Sequence, residues 1–113
     1  NQLVNFLNKK NKSLKNSKIM IVGLTYKAGV ADMRNSLNFK IFKKIKKYNN
    51  RVHGCDPFVG KRFKKNYKIY NKINKNSNYD AIIFLSYHET FKKIFKNLVS
   101  YKNKVLDPFN YYS

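Results

Sequence analysis

Between Gly23 and Ser36 the chain places an aromatic ring, a lysine, a carboxylate and a guanidinium in one short stretch: Tyr26, Lys27, Asp32 and Arg34. Lysine is a compact charge and arginine a planar fork, so Lys27 and Arg34 suit the two phosphates of a diphosphate. Tyr26 can pack on a base or sugar, and Asp32 can orient Arg34. Ser36 falls where a helix pattern begins, and a helix start adds unpaired N–H groups and a positive dipole. Two nucleotide motifs are excluded. Gly23 and Gly29 are six residues apart, which does not fit GxGxxG, and no Gly-Lys-Ser/Thr follows to make a phosphate-binding P-loop. Periodicity alone is equally satisfied by an ordinary loop with a solvated lysine and an Asp32–Arg34 surface pair.

Other reactive side chains point to structure rather than chemistry. Cys55 is the one cysteine and sits late in a β-rich run, so a small buried side chain is expected there, not a nucleophile. His53 and His88 are 35 residues apart with no Cys, His or acid cluster at ligand spacing, which argues against a metal site. His88 precedes a helical pattern and reads as a helix-start residue, although its place near a strand end also allows contact with a ligand. Asp56 and Asp107 each precede a proline after a strand. In such turns a carboxylate accepts backbone N–H bonds, so both are expected to hold loops.

The elements that must position these residues follow from hydrophobic patterning. Gln2 to Leu14 carries Leu3, Phe6, Leu7 and Leu14 at mostly helical spacing. Ile19-Met20-Ile21-Val22, closed by Gly23, has the form of a strand buried on both faces. Asn35 or Ser36 can cap a helix in which Leu37, Ile41, Ile45 and Tyr48 recur at near i, i+4 spacing. Arg51 to Asp56 reads as a second strand ended by Pro57. A short helix over Val59 to Lys65 and a brief edge strand over Tyr67 to Tyr70 fill the middle. Ala81 to Ser86 is the clearest strand, followed by Phe91, Ile94, Phe95 and Leu98 on one helical face. Lys104 to Pro108 gives a last strand, whose end the tail Phe109 to Tyr112 can cover. The order predicts an α/β fold, an open doubly wound parallel sheet of Rossmann-like type with flanking helices. Ligands bind such sheets outside the carboxyl ends of the strands, where the Gly23–Ser36 segment lies.

Length and charge narrow the partners. A chain of 113 residues with 42% hydrophobic and 16% aromatic residues can build one core. Its apolar runs are far below the roughly 20 residues that span a bilayer, and the start Asn1-Gln2-Leu3 lacks the layout of a signal peptide, so no membrane partner is expected. A lone cysteine fits a reducing, cytoplasmic setting. The net charge of +20 would attract polyanions without specificity. Only Arg34, Arg51 and Arg62 are arginines, whereas specific base and phosphate forks favour arginine. The lysines are spread along the chain, as codon drift in an A/T-rich genome also produces. A small basic domain binding nucleic acid non-specifically is the alternative that this charge keeps open.

Several runs resemble one family. Ile21-Val22-Gly23-Leu24-Thr25-Tyr26-Lys27 with Asp32-Met33-Arg34-Asn35-Ser36 resembles the G-L-x-[FY]-K-x(4)-D-x-R-x-S/T segment that opens the C-terminal, UDP-binding domain of the UDP-glucose/GDP-mannose dehydrogenase family. Cys55-Asp56-Pro57-Phe58-Val59 resembles its Y-D-P-x-V, and Tyr79 to Leu85 its A-D-A-hydrophobic strand. His88-Glu89-Thr90-Phe91 resembles the H-x-x-F of the branch acting on UDP-N-acetylhexosamines, and Val105-Leu106-Asp107 the closing V-V-D. Two departures bear on charge. Asn35 stands where the family often has Glu, and Phe109 stands where D-x-R-N has an arginine, which removes one phosphate-binding candidate.

The resemblance implies part of an enzyme that oxidises the C6 alcohol of a UDP-sugar to a carboxylate with two NAD+ through a cysteine thioester, for surface polysaccharide precursors. Residues 1–16 resemble the tail of the family's central linking helix and 17–113 its nucleotide-sugar-binding domain. The NAD-binding domain, the catalytic cysteine and the central domain that builds the homo-oligomer would precede this region, so 113 residues alone would not catalyse. By motif position Tyr26 and Lys27 would face the UDP-sugar, Arg34 would reach NAD, and Asp32 and Ser36 would shape the loop. A domain kept only for assembly after its site degraded is a further possibility that Phe109 favours.

Overall fold

Alternation along the strands sets the architecture of the protein, seen in a computed structural model that describes residues 2–9, 13–24, 37–49, 51–73, 78–98 and 104–112. The described elements run α1 (Gln2–Asn8), β1 (Ile19–Val22), α2 (Leu37–Tyr48), β2 (Val52–Cys55), α3 (Lys61–Tyr67), β3 (Ile69–Tyr70), β4 (Ala81–Phe84), α4 (Glu89–Asn97) and β5 (Val105–Leu106). The five strands form one sheet in the order β3-β2-β1-β4-β5, and every neighbouring pair is parallel. β1 is central: Ile19 pairs with Val52 on one side and with Ala81 on the other. The expected α/β sheet is therefore the observed one.

Successive strand residues point to opposite faces, so each face collects its own core. One holds Ile19, Ile21, Val52, Ile69, Ala81 and Ile83 beneath residues of α1, α2 and α3. The other holds Met20, Val22, Cys55, Ile82 and Phe84 beneath Phe91, Ile94 and Phe95 of α4. Helices on both faces make the sheet doubly wound. Phe42, Phe84 and Phe91 are fully buried, each contributing on the order of 1.5–3 kcal/mol by leaving water.

Element boundaries differ from the periodic reading in places with clear causes. The first helix ends at Asn8, and Leu14 lies in a turn where Asn16 N–H bonds back to Ser13. Its Leu3 and Leu7 are nevertheless buried on the sheet. In α2 the stripe Leu37, Ile41, Ile45, Tyr48 is not the buried one. Leu37 and Tyr48 are 59% and 64% exposed, whereas Asn38, Phe39 and Phe42 are buried. The buried line runs through Phe39 and Phe42, with Ile41 and Ile45 packed beside it, and Phe39 meets Phe63 and Tyr67 of α3 edge-on at 5.5 and 5.1 Å. The short helix expected near Val59 begins at Lys61 and is closed by Lys68 in the left-handed region, φ 56°, whose N–H bonds to Lys64 O. No helix among the described residues is long and apolar enough to cross a membrane.

Candidate functional site

The two connections that leave β1 and β4 go to opposite faces, because α2 packs on one and α4 on the other. These strands are neighbours, so a crevice opens between their carboxyl ends, the switch point at which open α/β sheets take ligands. Tyr26, Lys27, Asp32, Arg34 and Ser36, and with them the Asn35 or Ser36 cap, lie outside the described residues. What is described is the frame from which their segment departs and to which it returns, Gly23-Leu24 and Leu37-Asn38.

That frame is tightly specified. Gly23 adopts φ +92°, a left-handed conformation, and a Cβ there would stand 2.4 Å from Ser86 Oγ and 3.0 Å from Ser86 N. Only glycine fits without displacing the end of β4. Gly23 N–H bonds to Cys55 O at 3.1 Å and Leu85 N–H to Val22 O at 2.9 Å, so the ladder continues into the crevice. From the first turn of α2, the buried Asn38 donates through Nδ2 to Gly23 O at 3.1 Å and to Leu85 O at 3.4 Å, fastening the helix across both strands.

Asp56, fully buried after β2, supplies the next tie. Its Oδ2 accepts Leu24 N–H and its Oδ1 accepts Phe58 N–H, both at 2.9 Å. The turn role expected for this carboxylate is thus observed, and it reaches across to the residue that opens the 25–36 segment. Asp107 acts in the same way beyond β5, accepting Tyr111 N–H at 3.0 Å and Tyr112 N–H at 2.7 Å. These bonds fold the aromatic tail over the sheet edge. Tyr112 OH donates to Ser86 O and accepts His88 N–H, and burial pushes its phenol up to about 12. Around it Tyr87 stacks at 5.5 Å, while Phe109 is 56% exposed.

His88 is the N-cap of α4, its Nδ1 accepting Thr90 N–H at 3.1 Å, and its ring sits 4.6 Å from that of Phe58. The helix-start role expected of His88 is therefore the observed one. Cys55 is buried on the sheet, and desolvation, with the charge of Asp56 second, pushes its thiol up to about 12. It is inert as a nucleophile at neutral pH. No group of three or more metal-ligating residues occurs among the described residues.

Asn38, Ser86 and Tyr112 are parts of the frame that patterning did not single out. A polar residue on the buried side of α2 was the available sign of Asn38, obscured by assigning that side to Leu37 and Ile41. Tyr112 carried no sequence sign of its partner, since its bond to Ser86 spans 26 residues.

Comparison with known proteins agrees with this frame. Residues 20–113 match the UDP-binding domain of the UDP-glucose/GDP-mannose dehydrogenase family. A UDP-N-acetyl-D-glucosamine 6-dehydrogenase from Salmonella typhi is 33% identical over 95 residues, which cover 82% of this chain and 22% of that protein. The structure of a UDP-D-ManNAc dehydrogenase from Pyrococcus horikoshii superposes with a TM-score of 0.64 at 26% identity, covering 91% of this chain and 23% of that one. The chain thus spans less than a quarter of either relative. With its sheet order, its switch point and its ordered motifs, it belongs to the UDP-glucose/GDP-mannose dehydrogenase family, whose UDP-binding domain it represents.

Proposed function

We propose that this domain holds the nucleotide of a UDP-N-acetylhexosamine at the β1/β4 switch point, as the substrate-binding part of an NAD-dependent UDP-sugar 6-dehydrogenase. The observation that carries the reading is the frame at Gly23-Leu24 and Asn38, which ties β1, the end of β4 and α2 together at the edge where such sheets bind ligands. Both named relatives are dehydrogenases of UDP-N-acetylhexosamines, and His88-Glu89-Thr90-Phe91 matches the H-x-x-F of that branch. Tyr26 packs on the nucleotide, Lys27 neutralises its phosphates, and Asp32 and Ser36 hold the loop. All act by positioning rather than by making bonds.

NAD does not fit the β1 turn of this domain. The G-x-G-x-x-G spacing that lays a dinucleotide's pyrophosphate on backbone N–H groups is lacking and Leu24 N–H is taken by Asp56, so a diphosphate at this edge must be held by side chains such as Lys27. In the proposed enzyme NAD is held by a separate domain, and Arg34 reaches it from this one. NAD held there would supply the hydride acceptor, and the reacting thiolate would likewise come from elsewhere, since Cys55 is a buried thiol. In this reading α1, which ends at Asn8 and packs Leu3 and Leu7 on the sheet, is the end of a helix leading from a central domain through which a homo-oligomer assembles, in a cytoplasmic enzyme. Family and relatives lend no support to the nucleic-acid alternative.

Calorimetric titration of the protein with UDP tests this reading. Lys27→Ala is expected to weaken binding about tenfold or more, as for loss of a charge-assisted phosphate contact, while Lys93→Ala on the exposed face of α4 leaves it unchanged. Equal effects of the two substitutions would overturn it.

A further inference from the structure

The opposite edge of the sheet carries a second, chemically distinct pocket. Lys18 precedes β1, Arg51 precedes β2, Asp80 precedes β4 and Lys104 precedes β5, so parallel pairing brings all four to the amino ends of the strands. Together with His53, Asn78 and Tyr79 they line an open pocket of 570 Å³. That volume is within the range of small-molecule sites. Three basic side chains face one carboxylate, whose Oδ2 accepts the backbone N–H of Lys18 at 2.9 Å.

This is more than scattered surface lysine, because its walls are built. The buried Asn49 donates to Leu14 O at 2.8 Å and to Ser17 O, and its Oδ1 accepts Arg51 N–H at 2.7 Å. That clamp fixes the 13–17 turn, to whose Asn16 O the Arg51 guanidinium donates at 3.0 Å. One of five guanidinium donors is thereby used to set the fork in place. The Lys18 ammonium lies 4.7 Å above the ring of Tyr79, and Tyr79 OH is hydrogen bonded to His53 Nδ1 at 2.9 Å. Helix carboxyl ends point toward this edge and repel anions, so only the side chains can provide attraction. Lys18, Arg51 and Lys104 do so from three different strand ends.

We propose that this amino-edge pocket binds a small phosphate-bearing anion, at a site separate from the nucleotide crevice on the far edge of the sheet. Two or more charges and a body larger than inorganic phosphate match the spread of cations and the volume. A bound anion would link the leads into β1, β2, β4 and β5, and so stiffen the sheet that frames the crevice.

The test is calorimetric titration of the protein with inorganic pyrophosphate in saturating UDP, which blocks the carboxyl-edge crevice. One pyrophosphate per chain is expected, with affinity falling about tenfold or more in Arg51→Gln/Lys104→Gln and staying within about twofold in Lys93→Gln/Lys96→Gln, a change of equal charge on α4. UDP affinity should be the same in both variants. In the unmodified protein, pyrophosphate should shift the His53 ring and Arg51 Nε resonances, a readout independent of whether any variant folds. Equal weakening by both double variants, absence of binding at about 10 mM pyrophosphate, or shifts that avoid His53 and Arg51 would overturn the proposal. Tighter competition by a dT12 oligonucleotide, with loss spread over all lysine faces, would replace it with non-specific polyanion attraction.

Discussion

Asp56 offers the sharpest test of how the crevice is held. Its carboxylate is fully buried and accepts two backbone N–H groups, Leu24 and Phe58, each at 2.9 Å. Hydrogen bonds to a charged acceptor contribute about 1.5–3 kcal/mol each, so Asp56→Ala should cost about 3–6 kcal/mol, a large part of a domain's usual stability. Asp56→Asn is the more informative change. It keeps one oxygen for one N–H and turns an NH2 group against the other, which should cost about half as much, roughly 2–3 kcal/mol. Urea unfolding followed by far-UV circular dichroism gives the total. Hydrogen exchange at the Leu24 and Phe58 amides shows where the loss falls, and one of the two should lose protection well beyond the global change. Because Leu24 opens the 25–36 segment, UDP affinity should fall in Asp56→Asn even where the domain remains folded. A cost below about 0.5 kcal/mol with Leu24 still protected would refute the claim that this carboxylate fastens β1 to the β2 turn.

Gly23→Ala combines a left-handed φ with a Cβ 2.4 Å from Ser86 Oγ and 3.0 Å from Ser86 N. Strain and overpacking together should remove about 2–5 kcal/mol, and a melting point unchanged within error would contradict the geometry. Cys55, buried with its thiol pushed up to about 12, should resist iodoacetamide at pH 8 in the native protein and react promptly in urea. Native labelling as fast as in urea would show that β2 is open at that point. Burial also pushes Tyr79 up to about 12 from an ordinary 10.0. The folded state then keeps a proton that the unfolded chain releases, so its advantage is complete below pH 10 and lost as pH rises toward 12. His53 has the opposite sign. Burial first, then Lys46, Lys18 and Lys68, lower it below 6.5, so stability falls as pH drops through that value. Urea midpoints across pH should show both slopes, the alkaline one shallower in Tyr79→Phe and the acid one shallower in His53→Gln.

The strands were legible because each demands a distinctive local pattern. Ile19–Val22 and Ala81–Phe84 are short, continuous and apolar, and such runs fit a strand covered on both faces. The turn carboxylates were legible in kind, since Asp before Pro after a strand has few other uses, but not in reach. Nothing local says that Asp56 binds Leu24, 32 residues away, because that contact depends on β1 and β2 lying side by side. The buried stripe of α2 was misplaced for a related reason. Spacing identifies several apolar lines on one helix, and the sheet chooses between them by volume and by where Asn38 must reach. The amino-edge pocket was invisible altogether, as its three cations come from separate strand leads that only the parallel register collects.

That register also bears on how so basic a chain can select one anion. Of the five acids in the sequence, Asp56 and Asp107 follow strands and Glu89 starts α4, all at the carboxyl edge proposed to receive a diphosphate. Bare carboxylates there would oppose binding. They are not bare: Asp56 and Asp107 each accept two backbone N–H groups from the loops they hold, and Glu89 sits in the first turn of a helix and accepts Tyr87 OH at 3.0 Å. Loops at strand ends need acceptors for their N–H groups, so the few acids sit where the site is framed. The diffuse surface lysine cannot then decide recognition, because it surrounds the whole domain and is screened within about 10 Å at ordinary ionic strength. Selectivity must then come from a few positioned cations, and Lys27, proposed to meet the phosphates, is the lysine whose removal should outweigh that of any exposed lysine on the helices.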